Sequence, residues 1–148
     1  MSTFDPRAPG SPLTGPAFNT GDTLMAATSI SASTAISVTN FYGRGIYAYM
    51  NITSAFPGSG STTLALKVRT IPPNATASAV TIAATAARSA SGMVVLCVYP
   101  GLSTGSNSSY AITTSGLPLP KDFQILASYS SAAASAALTV SIGMHVIP

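Results

Sequence analysis

Few residues in this chain could do chemistry. One cysteine (Cys97), one histidine (His145) and three aspartates (Asp5, Asp22, Asp122) are its complete set of thiol, imidazole and carboxylate side chains, and glutamate is absent. General acid–base catalysis needs such groups held in pairs within hydrogen-bond reach. Asp5 and Asp22 fall in the Pro/Gly-rich opening stretch, so a conventional carboxylate pair is all but excluded. A Ser-His-Asp arrangement would have to use His145, Asp122 and one of many serines, since such triads are assembled in space rather than in sequence. The simpler expectation is that His145 is an outward-facing polar residue on the last strand.

Metal ligation has no better footing, because one His, one Cys and three scattered Asp do not form a cluster at ligand spacing. No cofactor is expected. Gly58-Ser59-Gly60-Ser61 is glycine-rich, yet it precedes a strand pattern and lacks the Lys and helix of a phosphate loop, so it reads as a hairpin turn. Asn51-Ile52-Thr53, Asn74-Ala75-Thr76 and Asn107-Ser108-Ser109 match the glycosylation acceptor pattern. In a chain rich in Ser and Thr, with no recognisable secretion signal, they read as chance matches. A single cysteine makes no internal disulfide. Cys97, inside "VVLCVYPGL", is expected to be a small core residue on a central strand that is apolar on both faces, its thiolate disfavoured by burial.

The tyrosines carry more information. Tyr42, Tyr47 and Tyr49 cluster around one strand pattern, with Tyr47 and Tyr49 on the face opposite its apolar set. Tyrosine combines apolar area with a hydroxyl and is enriched at interfaces. These three, with Tyr110 in the polar loop 102–110 and Leu13 and Phe18 near the N-terminus, are the candidate partner contacts.

The elements that would position these side chains follow from composition and periodicity. Hydrophobic residues make up 47% of the 148-residue chain and charged residues only 6%, the reverse of the balance that keeps a chain disordered. The net charge of +3 is spread thinly, without the basic patch expected of a nucleic-acid binder. No apolar run has the length of a membrane helix. Residues 1–22 are expected to be an extended Pro/Gly-rich arm, either a disordered tail or a segment that orders against a neighbouring subunit, and 23–148 a single domain.

In "GRGIYAYMNIT", Ile46, Ala48, Met50 and Ile52 alternate with Tyr47, Tyr49 and Asn51, as in a half-buried strand. "TTLALKVRT" turns Leu64, Leu66 and Val68 inward and Ala65, Lys67 and Arg69 outward. "ALTVSIGMHVI" does the same with Leu138, Val140, Ile142, Met144 and Val146. Weaker strand patterns cover 24–31, 34–39, 79–87, 93–99 and 123–129. About seven or eight strands predict an antiparallel two-sheet β-sandwich, immunoglobulin-like or jelly-roll.

From residue 40 onward the order of segments resembles a family of small tailed-bacteriophage virion proteins. The pattern runs from "FYGRGIYAYMNIT" through "TTLALKVRTIPP", an Ala/Thr-rich strand, "SGMVVLCVYPGL" and a Ser/Asn loop to "LPLPKDFQILASY" and "LTVSIGMHVIP". Tyr99-Pro100-Gly101 and Leu119-Pro120-Lys121 are its most specific pieces. Phe123-Gln124 stands where the family more often has Trp-Arg. The resemblance implies a non-enzymatic decoration or cement protein, made in the host cytoplasm and bound to the outer capsid surface. Its partners would be the major capsid protein and further copies of itself as a dimer or trimer. A carbohydrate- or receptor-binding module of a head or tail fibre, and a head–tail joining or tail-tube subunit, are the alternatives.

Overall fold

A computed structural model describes residues 22–39, 43–57, 62–72, 74, 76–107, 112–131 and 136–147. They form ten β-strands and no helix: β1 (Asp22–Ile30), β2 (Thr34–Thr39), β3 (Gly45–Ile52), β4 (Thr63–Thr70), β5 (Thr81–Ala84), β6 (Gly92–Val98), β7 (Gly105–Asn107), β8 (Ile112–Ser115), β9 (Asp122–Ser130) and β10 (Leu138–Ile147). Six make one sheet, in the order β1-β10-β3-β6-β8-β7, and four make the other, β2-β9-β4-β5.

The alternation seen in the sequence decides which side chains meet between the sheets. Ile46, Met50 and Ile52 of β3, Leu96 of β6 and Ile142 and Met144 of β10 face Leu64, Leu66 and Val68 of β4 and Phe123 and Ile125 of β9 in one buried cluster. All of them are sealed from solvent. Burying a side chain of this kind contributes about 1.5–3 kcal/mol, so the shared apolar layer dominates the stability of the sandwich. Thr85 extends the β4–β5 ladder where β5 ends: its Oγ1 accepts from Leu66 N at 3.0 Å, and its own N donates to Leu66 O at 2.9 Å. That side-chain bond stops β5 at Ala84, short of the 79–87 expected from Ala/Thr alternation.

Strands distant in sequence are neighbours in space. β1 pairs with β10, β2 with β9, β3 with β6 and β4 with β5, all antiparallel. The expectation of seven or eight wholly antiparallel strands needs correction in one region. The stretch after β6 forms β7 and β8 instead of a plain polar loop, and β8 runs parallel to β6, with Val95 opposite Ile112 and Val98 opposite Ser115.

The turn Tyr99-Pro100-Gly101-Leu102 sends the chain back. Leu102 N donates to Tyr99 O at 3.2 Å, and Gly101 has φ 86°, the left-handed geometry that a type II turn places at its third residue. β7 then runs down the outer edge, and β8 returns between it and β6. Neither stretch alternates apolar with polar residues, the signal of a half-buried strand, so backbone pairing to the open edge of β6 is what orders them.

Candidate functional site

The described residues offer two surfaces and no assembled reaction centre. His145 lies half-exposed on the outer face of the six-stranded sheet, opposite Tyr47 across the β10–β3 pair. Its ring centroid is 6.5 Å from that of Tyr47 and 5.9 Å from that of Tyr49. Asp122 opens β9 in the other sheet, where its Oδ1 accepts a 2.7 Å hydrogen bond from Thr39 Oγ1. The His145–Asp122 pairing that a triad requires is therefore not made.

The Gly-x-Ser-x-Gly spelling of a nucleophile elbow does occur in the chain, at Gly101-Leu102-Ser103-Thr104-Gly105. Its setting is a turn running into edge strand β7, not a strand-to-helix elbow. Gly105 lies four strands from His145 along one row of the sheet, about 19 Å at the usual strand spacing. Among the described residues, no three His, Cys, Asp or Glu side chains gather at metal-binding distance.

Cys97 departs from expectation. β6 is interior to the sheet, but its two faces differ: Val94, Leu96 and Val98 are buried in the core, whereas on the outer face Val95 is buried in the Tyr49 row, Cys97 is half-buried and Met93 is exposed. No second layer covers that side among the described residues, so the thiol sits between Tyr47 and Thr114 in the cross-strand row. Partial burial still raises its pKa above the ordinary thiol value.

The acceptor-like asparagines are equally legible. Asn51 is the next-to-last residue of β3, paired on both sides with Ser141 and Met93. Asn74 Oδ1 accepts from Thr76 N at 3.0 Å and Ala77 N at 2.8 Å, closing a local turn after Pro72.

The first surface is the outer face around Tyr47 and Tyr49. Both rings are half-buried, as the alternation of β3 requires. Tyr49 lies across Gly143 of β10 so closely that a Cβ there would come within 2.1 Å of its ring and hydroxyl. Gly143 thus seats the tyrosine flat on the sheet. Val95 and Ile112 continue the Tyr49 row across β6 and β8, and no charged residue occupies the paired positions of β10, β3, β6 and β8 on this face. Leu13, Phe18, Tyr42, Tyr110 and the Gly58–Ser61 turn lie outside the described residues.

The second surface is one end of the sandwich, which sequence reading did not single out. Thr39 lies opposite Asp122, Thr70 opposite Phe123, and Val98 opposite both Ile46 and Ser115. Ser115 Oγ donates to Ile82 O at 3.2 Å, tying the two sheets together at that level. The connections β2–β3, β4–β5, β6–β7 and β8–β9, and the start of β1, therefore emerge together.

Five large apolar side chains stand exposed among the described residues: Ile71, Val80, Met93, Leu102 and Leu117. All but Met93 belong to this end, with Val80 the most open at 65% exposure. The two exits of the six-stranded sheet are tightly joined there, since a Cβ on Gly116 would come 2.1 Å from Leu102 O. The described loop residues at the opposite end, 31–33, 53–57, 62, 85–91, 131 and 136–137, are mostly Ser, Ala and Thr, with Phe56 and Arg88 as the larger side chains. No single residue signals this polarity; it appears only when strand order assigns each loop to an end.

Compared with family models, curated proteins and solved structures, the chain matches none.

Proposed function

We propose that the protein is a non-enzymatic structural subunit of a tailed-phage head, a decoration protein that docks on the major capsid protein through its apolar loop end. The observation that carries this reading is the concentration of Ile71, Val80, Leu102 and Leu117 at one end of a charge-poor domain. Exposed apolar groups gathered on one side mark an interaction site, while singly scattered ones do not. The resemblance of residues 40–148 to small virion proteins supplies the assembly.

The strand order supports the jelly-roll form of the sandwich over the immunoglobulin form. Read without the β7–β8 insertion, the chain is one long hairpin with its tip at β4–β5, wound so that each sheet interleaves early and late strands. Jelly rolls recur in viral capsid and lectin domains. That is analogy of fold, and the apolar end carries the functional argument.

The test is attachment of the full chain to heads stripped of it. Val80→Asp with Leu117→Asp is expected to weaken binding by about 100-fold, as loss of two anchor residues at roughly 1.4 kcal/mol each would do, while the melting temperature stays within a few degrees. Unchanged attachment would refute the docking end. A copy number in purified virions that matches the capsid lattice, rather than a single ring, separates decoration from a connector.

The Tyr47–Tyr49 platform favours carbohydrate binding as a second reading, because flat aromatic rings stack on sugar faces. Tyrosine fluorescence that changes on adding host-surface glycans would support it.

A further inference from the structure

The four-stranded sheet ends on β2, and no strand lies beyond it among the described residues. An open edge offers unpaired N–H and C=O groups to any strand that meets it, and folded proteins blunt such edges with short strands, bulges, prolines or charges. The other three edge strands are blunted. β1 has two register shifts against β10, β5 has four residues and a register shift against β4, and β7 has three residues. β2 has none of these devices: "TAISVT" pairs with β9 over its whole length without a shift, and it contains neither Pro nor a charged side chain.

The direction of its free groups follows from β9. Tyr129 N donates to Ser33 Oγ at 2.9 Å, and Tyr129 O accepts from the same hydroxyl at 3.2 Å, so both backbone groups of Tyr129 point to the β2 side. Backbone direction alternates along an antiparallel strand, so Ala127, Ile125 and Phe123 point the same way and hold Thr34, Ile36 and Val38 in hydrogen-bonded pairs. Ala35 and Ser37 therefore turn their N–H and C=O groups away from the sheet. Their side chains are small and exposed, and neither obstructs an incoming strand.

On the core side of β2, Val38 is buried, but Ile36 packs against the core while only half-buried. Leu24 and Met25 of β1, the edge of the other sheet on this flank, are in the same position. The opposite flank is tied shut by the bond from Ser115 Oγ of β8 to Ile82 O of β5. The β1/β2 flank is thus where the sandwich leaves core-facing apolar surface uncovered among the described residues.

We propose that β2 is a dimerisation edge, pairing antiparallel with β2 of a second copy about a two-fold axis at Ile36. A two-fold interface is one patch meeting itself, and among the described edges only β2 is long and regular enough to supply both sides. In this register Ala35 meets the partner's Ser37 and Ser37 the partner's Ala35, each couple exchanging backbone hydrogen bonds in both directions. The two Ile36 side chains meet at a non-hydrogen-bonded pair, where Cα atoms approach to about 4.5 Å. Thr34 lies opposite the partner's Val38, so every core-facing residue of β2 gains a partner; centring on Ser37 would carry Thr34 past the end of the partner's strand. The proposal does not rest on the virion reading: antiparallel pairing points the two apolar loop ends away from each other and leaves both uncovered.

Sedimentation equilibrium and amide exchange on the full chain test it. One added strand pair buries less than a standard interface, so a dissociation constant on the order of 10 μM is expected. Exchange at Ala35 and Ser37 should slow about tenfold or more between roughly 1 and 100 μM protein, while Ile36 and Val38 stay slow throughout. Ala35→Pro removes an outward N–H, a position at which edge strands accept proline, and should weaken the dimer at least about tenfold. Ala35→Lys leaves the backbone intact, sets like charges from the two copies at diagonal positions about 7–8 Å apart, and should also weaken it. With Cys97→Ser in place, Ile36→Cys should oxidise to a covalent dimer at least about tenfold faster than Ser37→Cys, whose thiols would lie diagonally, beyond disulfide reach. A chain still monomeric at about 1 mM would overturn the proposal, and so would a dimer indifferent to both Ala35 variants. Exchange at Ala35 and Ser37 that is slow at every concentration would assign the edge to another segment of the same chain and end it equally.

Discussion

At the scale of single residues, Cys97 shows how a pattern and its environment separate. Seven apolar positions in a row promise a strand buried on both sides, and "MVVLCVY" does lie inside a sheet. Burial on the second face depends on a layer that one strand's sequence does not encode, and here Cys97 is only half-buried. The thiol pKa is raised by partial burial, so the folded state holds the proton more tightly than the unfolded chain. The resulting stability is present below the ordinary thiol pKa of about 8.5 and is lost as pH rises through the higher folded value. Urea midpoints of wild type and Cys97→Ser should therefore converge in that direction between about pH 7 and pH 10, any advantage of the wild type shrinking. A wild-type advantage that grows with pH would contradict the assignment. His145 is the converse case. Its period-two position was enough to place it outside the core, and the tyrosines beside it were legible from the same rule.

At the scale of elements, strands with clean alternation were readable and strands held by pairing alone were not. The expected 34–39 strand coincides with β2, and 93–99 and 123–129 fall within a residue of β6 and β9. β7 and β8 gave no signal because neither alternates apolar with polar residues, and pairing to the neighbouring edge is what extends them. This difference in origin implies a difference in stability. β7 has three residues, pairs on one side only, and adds nothing to the buried cluster, whereas β3, β4, β6, β9 and β10 are flanked on both sides and line the core. Amide hydrogen exchange should be slowest in those five strands and fastest, among the strands, in β7. Protection of β7 equal to that of β3 would mean that the insertion is held by contacts other than its single ladder.

At the scale of the whole molecule, the domain is polarised. One end carries Ile71, Val80, Leu102 and Leu117 and the start of β1, and the described loop residues of the other are mostly Ser, Ala and Thr. With 6% charged residues, attachment through the apolar end should be driven by burial and not by ion pairing. Its affinity is expected to change less than about threefold between roughly 0.05 and 0.5 M NaCl and to rise in sulfate, as an isothermal binding series would show. A steep fall with salt would point to Arg44 and Lys121 as the true anchors. This polarity was illegible in the sequence because it depends on which loops share an end, a property of strand order.

The interleaved strand order also has a consequence in time. Among the described residues β1 takes its only partner from β10, and β2 from β9, so during synthesis these two strands are made well before the strands they pair with. No early hairpin can shelter Ile30 or Val38, which end up buried. The nascent chain is an open strand edge until residues 138–147 arrive, and folding of such non-local pairings is intrinsically slow. The scarcity of charge adds little electrostatic repulsion during that interval. The protein is thus most vulnerable to self-association during its own synthesis, before the contacts that hide its core exist.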